Sequence, residues 1–137
     1  MYEGCPILYK SQLQTEIAIS STESEYTGLS YALREAIPIM RILNEFKDHG
    51  LITQAPKAKM HCKVYEENSG ALEMAREYKY CPRTKFLNIK LHHFRDYVER
   101  GEISIHKVST HDQHADYLTK LLNEATHIKH RKVVQGW

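Results

Sequence analysis

Apolar residues in this chain change their spacing several times, and each change marks an expected element. Residues 6–10 and 15–20 are short extended runs, and in the second Ile17 and Ile19 share one face, alternating with Glu16, Ala18 and Ser20. Both read as strands, joined by a polar turn at Ser11-Gln12. The period then lengthens. Tyr26, Leu29, Leu33, Ile37, Met40 and Leu43 recur at helical spacing, and Thr22 with Glu25 three residues on has the form of a capping box. A long helix is therefore predicted to open there and to close at His49-Gly50. Residues 59–65 return to alternation, with Met60, Cys62 and Val64 on one face. A short helix is predicted over 68–77, and another within 84–100, with Leu87, Leu91, Phe94 and Val98 inward and Gly101 as its stop. A strand over 102–108 turns Ile103 and Ile105 inward, and two helices follow, from near Asp112 and over 123–134. Strands and helices interleave, so the expected class is α/β or α+β.

Composition adds bounds. The 137 residues, 42% hydrophobic and 26% charged, suit one globular domain over 1–137 with one core. No apolar run reaches the length of a membrane span and no signal-peptide pattern opens the chain, so no membrane contact and an intracellular setting are expected. Cys5, Cys62 and Cys81 are odd in number and lack ligand-like spacing, which predicts reduced thiols. A net charge of +2 does not by itself mark a nucleic-acid binder.

Three carboxylates stand at places where a fold gathers chemistry: Glu25 in the first helical turn, Glu67 at a strand end and Asp116 on a late helix. Metal-assisted phosphodiester hydrolysis needs hard oxygen ligands converging from distant parts of a chain. Each residue also has a plain explanation, and on the residues alone that explanation comes first. Glu25 completes a capping box, Glu66-Glu67 are acids favoured before a helix N-terminus, and Asp116 is an ordinary helix carboxylate.

Several motifs, in order along almost the whole chain, change that balance. They are Gly4-Cys5-Pro6, Ser20-Ser21-Thr22-Glu23-Ser24-Glu25-Tyr26, Tyr65-Glu66-Glu67-Asn68, Arg83-Thr84-Lys85, Leu91-His92-His93-Phe94-Arg95 and the stretch from Val108 through Ala115-Asp116 to Thr119-Lys120. Together they resemble the ribonuclease H domain that closes the Pol polyprotein of copia-type retrotransposons. The resemblance implies a ribonuclease H-like α/β fold, a mixed sheet with flanking helices. It implies endonucleolytic cleavage of RNA in RNA–DNA hybrids during reverse transcription, with Mg²⁺ (or Mn²⁺) held by Glu25, Glu67 and Asp116. It further implies an upstream reverse transcriptase domain as partner and a cytoplasmic or virus-like-particle location.

Arg83, Lys85, Lys90 and Arg95 become the expected nucleic-acid contacts, and His111 a product-release residue. The run Lys129-His130-Arg131-Lys132 reads as a solvated helix face, and His92-His93 as one packed and one exposed ring. Two departures from the family pattern bear on activity. The family's first strand and its Asp have no counterpart before Pro6, which predicts a sheet lacking its first strand and self-association through the exposed edge. Glu67 also stands where the family has Asp, and one extra C–C bond displaces a carboxylate by about 1.5 Å. Impaired cleavage is the expectation. The alternative is a non-catalytic ribonuclease H-like relic or module that binds nucleic acid or a partner protein.

Overall fold

A computed structural model describes residues 1–2, 4–15, 17–51, 60–77 and 92–137. They divide into two compact units, Ile17–Val108 and Met1–Glu16 with Ser109–Trp137. The first unit is a small mixed α/β assembly. Helix α1, Ser21–Asp48, is followed by strand β1, Cys62–Glu66, helix α2, Ser69–Arg76, the short helix α3, Arg95–Glu99, and strand β2, Ile103–Lys107. β1 and β2 pair in parallel from Cys62 opposite Ile103 to Glu66 opposite Lys107. A parallel pair needs a crossover, and here that crossover carries α2 and α3.

Burial follows the helical and strand periods. Tyr26, Leu29, Leu33, Ile37 and Met40 form the inner stripe of α1. They meet Ala71, Leu72 and Ala75 of α2, Phe94 ahead of α3, and Ile103 and Ile105 of β2 in one hydrophobic cluster. The cap of α1 differs from expectation. Ser20 is its N-cap: the Ser20 hydroxyl accepts from the Glu23 N–H at 3.2 Å, and the Glu23 carboxylate accepts from the Ile19 N–H at 2.8 Å. Two overlapping Ser/Thr-x-x-Glu patterns competed, and the earlier one wins because it satisfies orphan N–H groups two residues sooner. Glu25 is thereby released from capping. At the other end His49 caps the helix and Gly50, at φ 72°, leaves it, as the sequence predicts.

The two N-terminal strands do not form. Among the described residues of 1–20 the sole pairing is an isolated antiparallel bridge between Tyr2 and Cys5. Ile17 and Ile19, expected on an inner face, are 96% and 80% exposed. Alternation marks which side of a strand is apolar, but extended backbone becomes a strand only where a neighbour takes its hydrogen bonds. The sheet of the described residues accordingly has two strands.

The second unit contains two 3-10 turns, Thr110–Asp112 and His114–Leu118, and helix α4, Glu124–Gln135. The helix predicted from near Asp112 is thus replaced by tight turns, in which the Ser109 hydroxyl donates to the Asp112 carboxylate at 2.9 Å. Asn123 caps α4 through the Thr126 N–H at 2.9 Å, and Gly136, at φ 81°, closes it. No helix among the described residues is long and apolar enough to cross a membrane.

Candidate carboxylate site

At the end of β1 the alternation carries one residue further than the sequence suggests. Cys62 and Val64 face inward, and Glu66, next in that register, is 5% exposed. Its carboxylate accepts a hydrogen bond from the Asn68 N–H at 2.8 Å. Asn68 in turn caps α2, its side-chain oxygen accepting from the N–H groups of Gly70 at 2.9 Å and Ala71 at 3.0 Å. The Thr22 hydroxyl reaches the same oxygen at 3.4 Å, fastening the first turn of α1 to the start of α2. The two helix starts approach so closely that a Cβ at position 70 would lie 2.9 Å from the Thr22 side chain, which makes Gly70 a packing requirement.

That approach brings Glu25 and Glu66 within electrostatic reach. Burial pushes the Glu66 carboxyl above its ordinary value, and the charges of Glu25 and Glu67 push it the same way against the backbone N–H groups that favour ionisation. Glu25 itself is exposed and Glu67 half-buried. Glu25 is positioned by its neighbour Tyr26, which is fully buried and hydrogen-bonded through its hydroxyl to His92 Nδ1 at 2.6 Å. Burial raises the Tyr26 phenol and lowers the His92 imidazole, so this pair is held neutral.

Asp116, the third expected carboxylate, belongs to the other unit. It is buried in the second 3-10 turn, where its Oδ2 accepts from Lys120 Nζ at 3.0 Å. Among the described residues no three His, Cys, Asp or Glu side chains are gathered closely enough to hold a metal ion. The first unit thus holds Glu25 and Glu67 within electrostatic reach of Glu66 without gathering the three as a metal cluster, and Asp116 belongs to the second with an ammonium partner. Glu66 is the residue that sequence reasoning passed over. The signal was the alternation of Met60, Cys62 and Val64, which extends to position 66.

Of the expected nucleic-acid contacts, Arg83, Lys85 and Lys90 lie outside the described residues, as does Cys81. Arg95 is half-buried and donates to the Met74 carbonyl at 2.9 Å, joining α3 to α2. His111 is exposed, and its carbonyl accepts from Lys129 Nζ at 3.5 Å. His92 and His93 are both half-buried, which corrects the expectation of one packed and one exposed ring: the turn ahead of α3 directs His92 to Tyr26 and His93 to Ser30. The basic run on α4 is not wholly solvated either. His130 is buried, its Nδ1 2.8 Å from Nδ1 of His114.

The chain is 29% identical over 121 residues to the retrovirus-related Pol polyprotein from transposon TNT 1-94 of Nicotiana tabacum. It is 33% and 32% identical, each over 118 residues, to those from transposons RE1 and RE2 of Arabidopsis thaliana. The chain is homologous to a segment of retrotransposon Pol polyproteins. The alignments cover 86–88% of this chain and 8% of each relative, so the chain spans a small part of the polyproteins it matches. The likeness to copia-type Pol polyproteins read from the motifs is thus borne out at the level of the polyprotein. No family model and no solved structure matches the chain.

Proposed function

We propose that this chain is the ribonuclease H-type part of a retrotransposon Pol polyprotein, with a ribonuclease H-like fold, acting on the RNA strand of RNA–DNA hybrids. The observation that carries the reading is that Glu25, in the first turn of α1, lies within electrostatic reach of Glu66 at the end of β1, where the Thr22–Asn68 contact fastens the two helix starts together. The donor chemistry fits a hard divalent cation. The ligands are carboxylate oxygens; burial foremost, and then the charges of Glu25 and Glu67, raise the Glu66 pKa, and a bound cation would offset that repulsion. Glu25 and Glu67 are the residues of the first unit that would hold Mg²⁺ or Mn²⁺, and Asp116, in the second unit, is the further ligand that the motif resemblance implies. When bound, the ion supplies Lewis-acid polarisation of the scissile phosphate and a more acidic water.

The chain's own contributions are positional. Buried Tyr26 fixes the turn that presents Glu25, and the Asn68 cap fixes the end of β1 that presents Glu67. Arg83, Lys85, Lys90 and Arg95 supply phosphate contacts in this reading, and His111 assists product release. The reverse transcriptase region of the parent polyprotein is the neighbouring partner, and self-association through the sheet edge belongs to the same reading. A cytoplasmic or virus-like-particle setting follows from it.

Turnover is expected to be slow, because Glu67 displaces a ligand and Mg²⁺ tolerates little departure from octahedral geometry. The test is cleavage of a labelled hybrid by the purified chain in Mg²⁺ and Mn²⁺. The expected result is weak metal-dependent cleavage that disappears in Glu25→Gln and Asp116→Asn and rises about tenfold or more in Glu67→Asp. Cleavage unaffected by all three substitutions would overturn the assignment. A second reading, hybrid binding without cleavage, is favoured by the Lys120 ammonium on Asp116. It predicts retained hybrid affinity with no cleavage in either metal, including in Glu67→Asp.

A further inference from the structure

The unit formed by Met1–Glu16 and Ser109–Trp137 carries a feature that the hybrid-cleavage reading does not use. Pro6, Ile7 and Tyr9 from the N-terminal segment and Val134, Gln135 and Trp137 from the end of α4 line a cleft of about 250 Å³. Two of its aromatic side chains are largely in solvent, Tyr9 at 56% and Trp137 at 71% exposure. Exposed faces of this size on one small unit are unusual unless something covers them. The charge beside them says what that is. The Arg131 guanidinium lies 5.4 Å from the centre of the Trp137 ring, and its Nε is shielded from solvent with no hydrogen-bond partner among the described residues. Arg131 and Lys132 precede Val134 and Gln135 by three positions each, so on α4 they neighbour the cleft lining. Lys129, by contrast, is occupied by an ion pair with Asp112.

We propose that this cleft binds single-stranded nucleic acid, one or two unpaired bases stacking on Tyr9 and Trp137 while Arg131 and Lys132 hold the adjoining phosphates. Stacking on exposed aromatic faces with a neighbouring guanidinium is tolerant of base identity and closed to bases already paired in a duplex. An apolar peptide would leave the two cations without a counterpart, whereas a polyanion with flat apolar faces satisfies both. The site is independent of the carboxylates at α1 and β1.

Trp137 is the one tryptophan of the chain, so stacking reports directly on its fluorescence. The experiment titrates the intact chain with 12-nucleotide oligo(U), oligo(dT) and a blunt 12-base-pair DNA duplex, without divalent metal. Saturable quenching by one or both single strands and none by the duplex is expected. The salt slope of log K should be about −1.4 for two neutralised phosphates and about half that in Arg131→Gln or Lys132→Gln. Labelled-oligonucleotide anisotropy should show roughly tenfold weaker binding for Tyr9→Ser and for Trp137→Ser, with most of the affinity kept in Trp137→Phe. Both side chains are exposed, so these variants leave the fold intact. Absence of quenching, equal quenching by the duplex, or unchanged affinity in both serine variants would overturn the proposal.

Discussion

The two units are held together by different forces. Every buried apolar side chain among the described residues belongs to Ile17–Val108, from Tyr26 to Ile105. In the other unit the buried side chains are Asp116 and His130, both polar. Its ties are the Asp116–Lys120 and Asp112–Lys129 ion pairs, the His114–His130 contact and a hydrogen bond from the Ser11 hydroxyl to the Leu118 carbonyl at 3.3 Å. Hydrophobic burial is indifferent to pH and weakly sensitive to salt, whereas polar ties depend on both. The difference teaches that one chain can carry a unit with a robust core beside one whose order follows solution conditions.

The largest effect expected is on the apolar unit. Phe94 is fully buried against Tyr26, their ring centres 5.8 Å apart. Phe94→Ala should destabilise Ile17–Val108 by about 3–5 kcal/mol, read by denaturant unfolding. A loss below about 1 kcal/mol would mean that this core is not what holds the unit.

Acid should act next, and mostly on the polar unit. Burial and the neighbouring His130 hold the His114 imidazole below its ordinary 6.5, so the unfolded chain takes up that proton first. Stability from His114 is complete above pH 6.5 and falls as pH drops through the folded-state value. Asp112, held below the ordinary carboxylate value by Lys129, has the same sign at lower pH. In the apolar unit the signs oppose. His92 is lowered, so acid weakens it, but Glu66 is raised, so its stabilising contribution is lost as pH rises above the ordinary 4.5. Hydrogen-exchange protection, corrected for the slower intrinsic exchange in acid, should therefore fall between pH 7 and 5 over residues 109–137 before it does over β1 and β2. Simultaneous loosening of both would erase the distinction.

Smaller effects separate the ion pairs. Asp116→Asn removes an ion pair whose lysine is 43% exposed and should cost about 1 kcal/mol in thermal unfolding. Lys129→Gln removes a pair exposed on both sides and should shift the transition by less than about 0.5 kcal/mol. A cost for Lys129→Gln exceeding that for Asp116→Asn would reverse the assigned roles of burial and exposure.

How much of this was legible beforehand depended on whether a residue's environment was local. The inner stripe of α1, the helices starting near Asn68 and Asn123 and the inward Ile103 and Ile105 follow from spacing, because a helix turn or strand pleat fixes them. The burial of Glu66 was available from the same alternation but hidden by its charge, which argued for solvent. The false strands over 6–20 show the limit of the pattern, since pairing depends on a partner that local sequence does not name. The His114–His130 contact and the Lys120 partner of Asp116 arise from 3-10 turns, whose irregular geometry carries no periodic signal.

The parallel pairing of β1 with β2 has a consequence for how the chain is made. Cys62 and Ile103 are partners in register, yet the rest of β1, with α2 and α3, lies between them in the chain. A ribosome must release Lys107 before the pair can close, and until then β1 lacks the strand that takes its hydrogen bonds. Formation of this unit is consequently a late, all-at-once event in synthesis, of the slow kind that distant pairings impose. A pause in translation between Glu66 and Ile103 would prolong the interval in which a nascent chain most needs a chaperone.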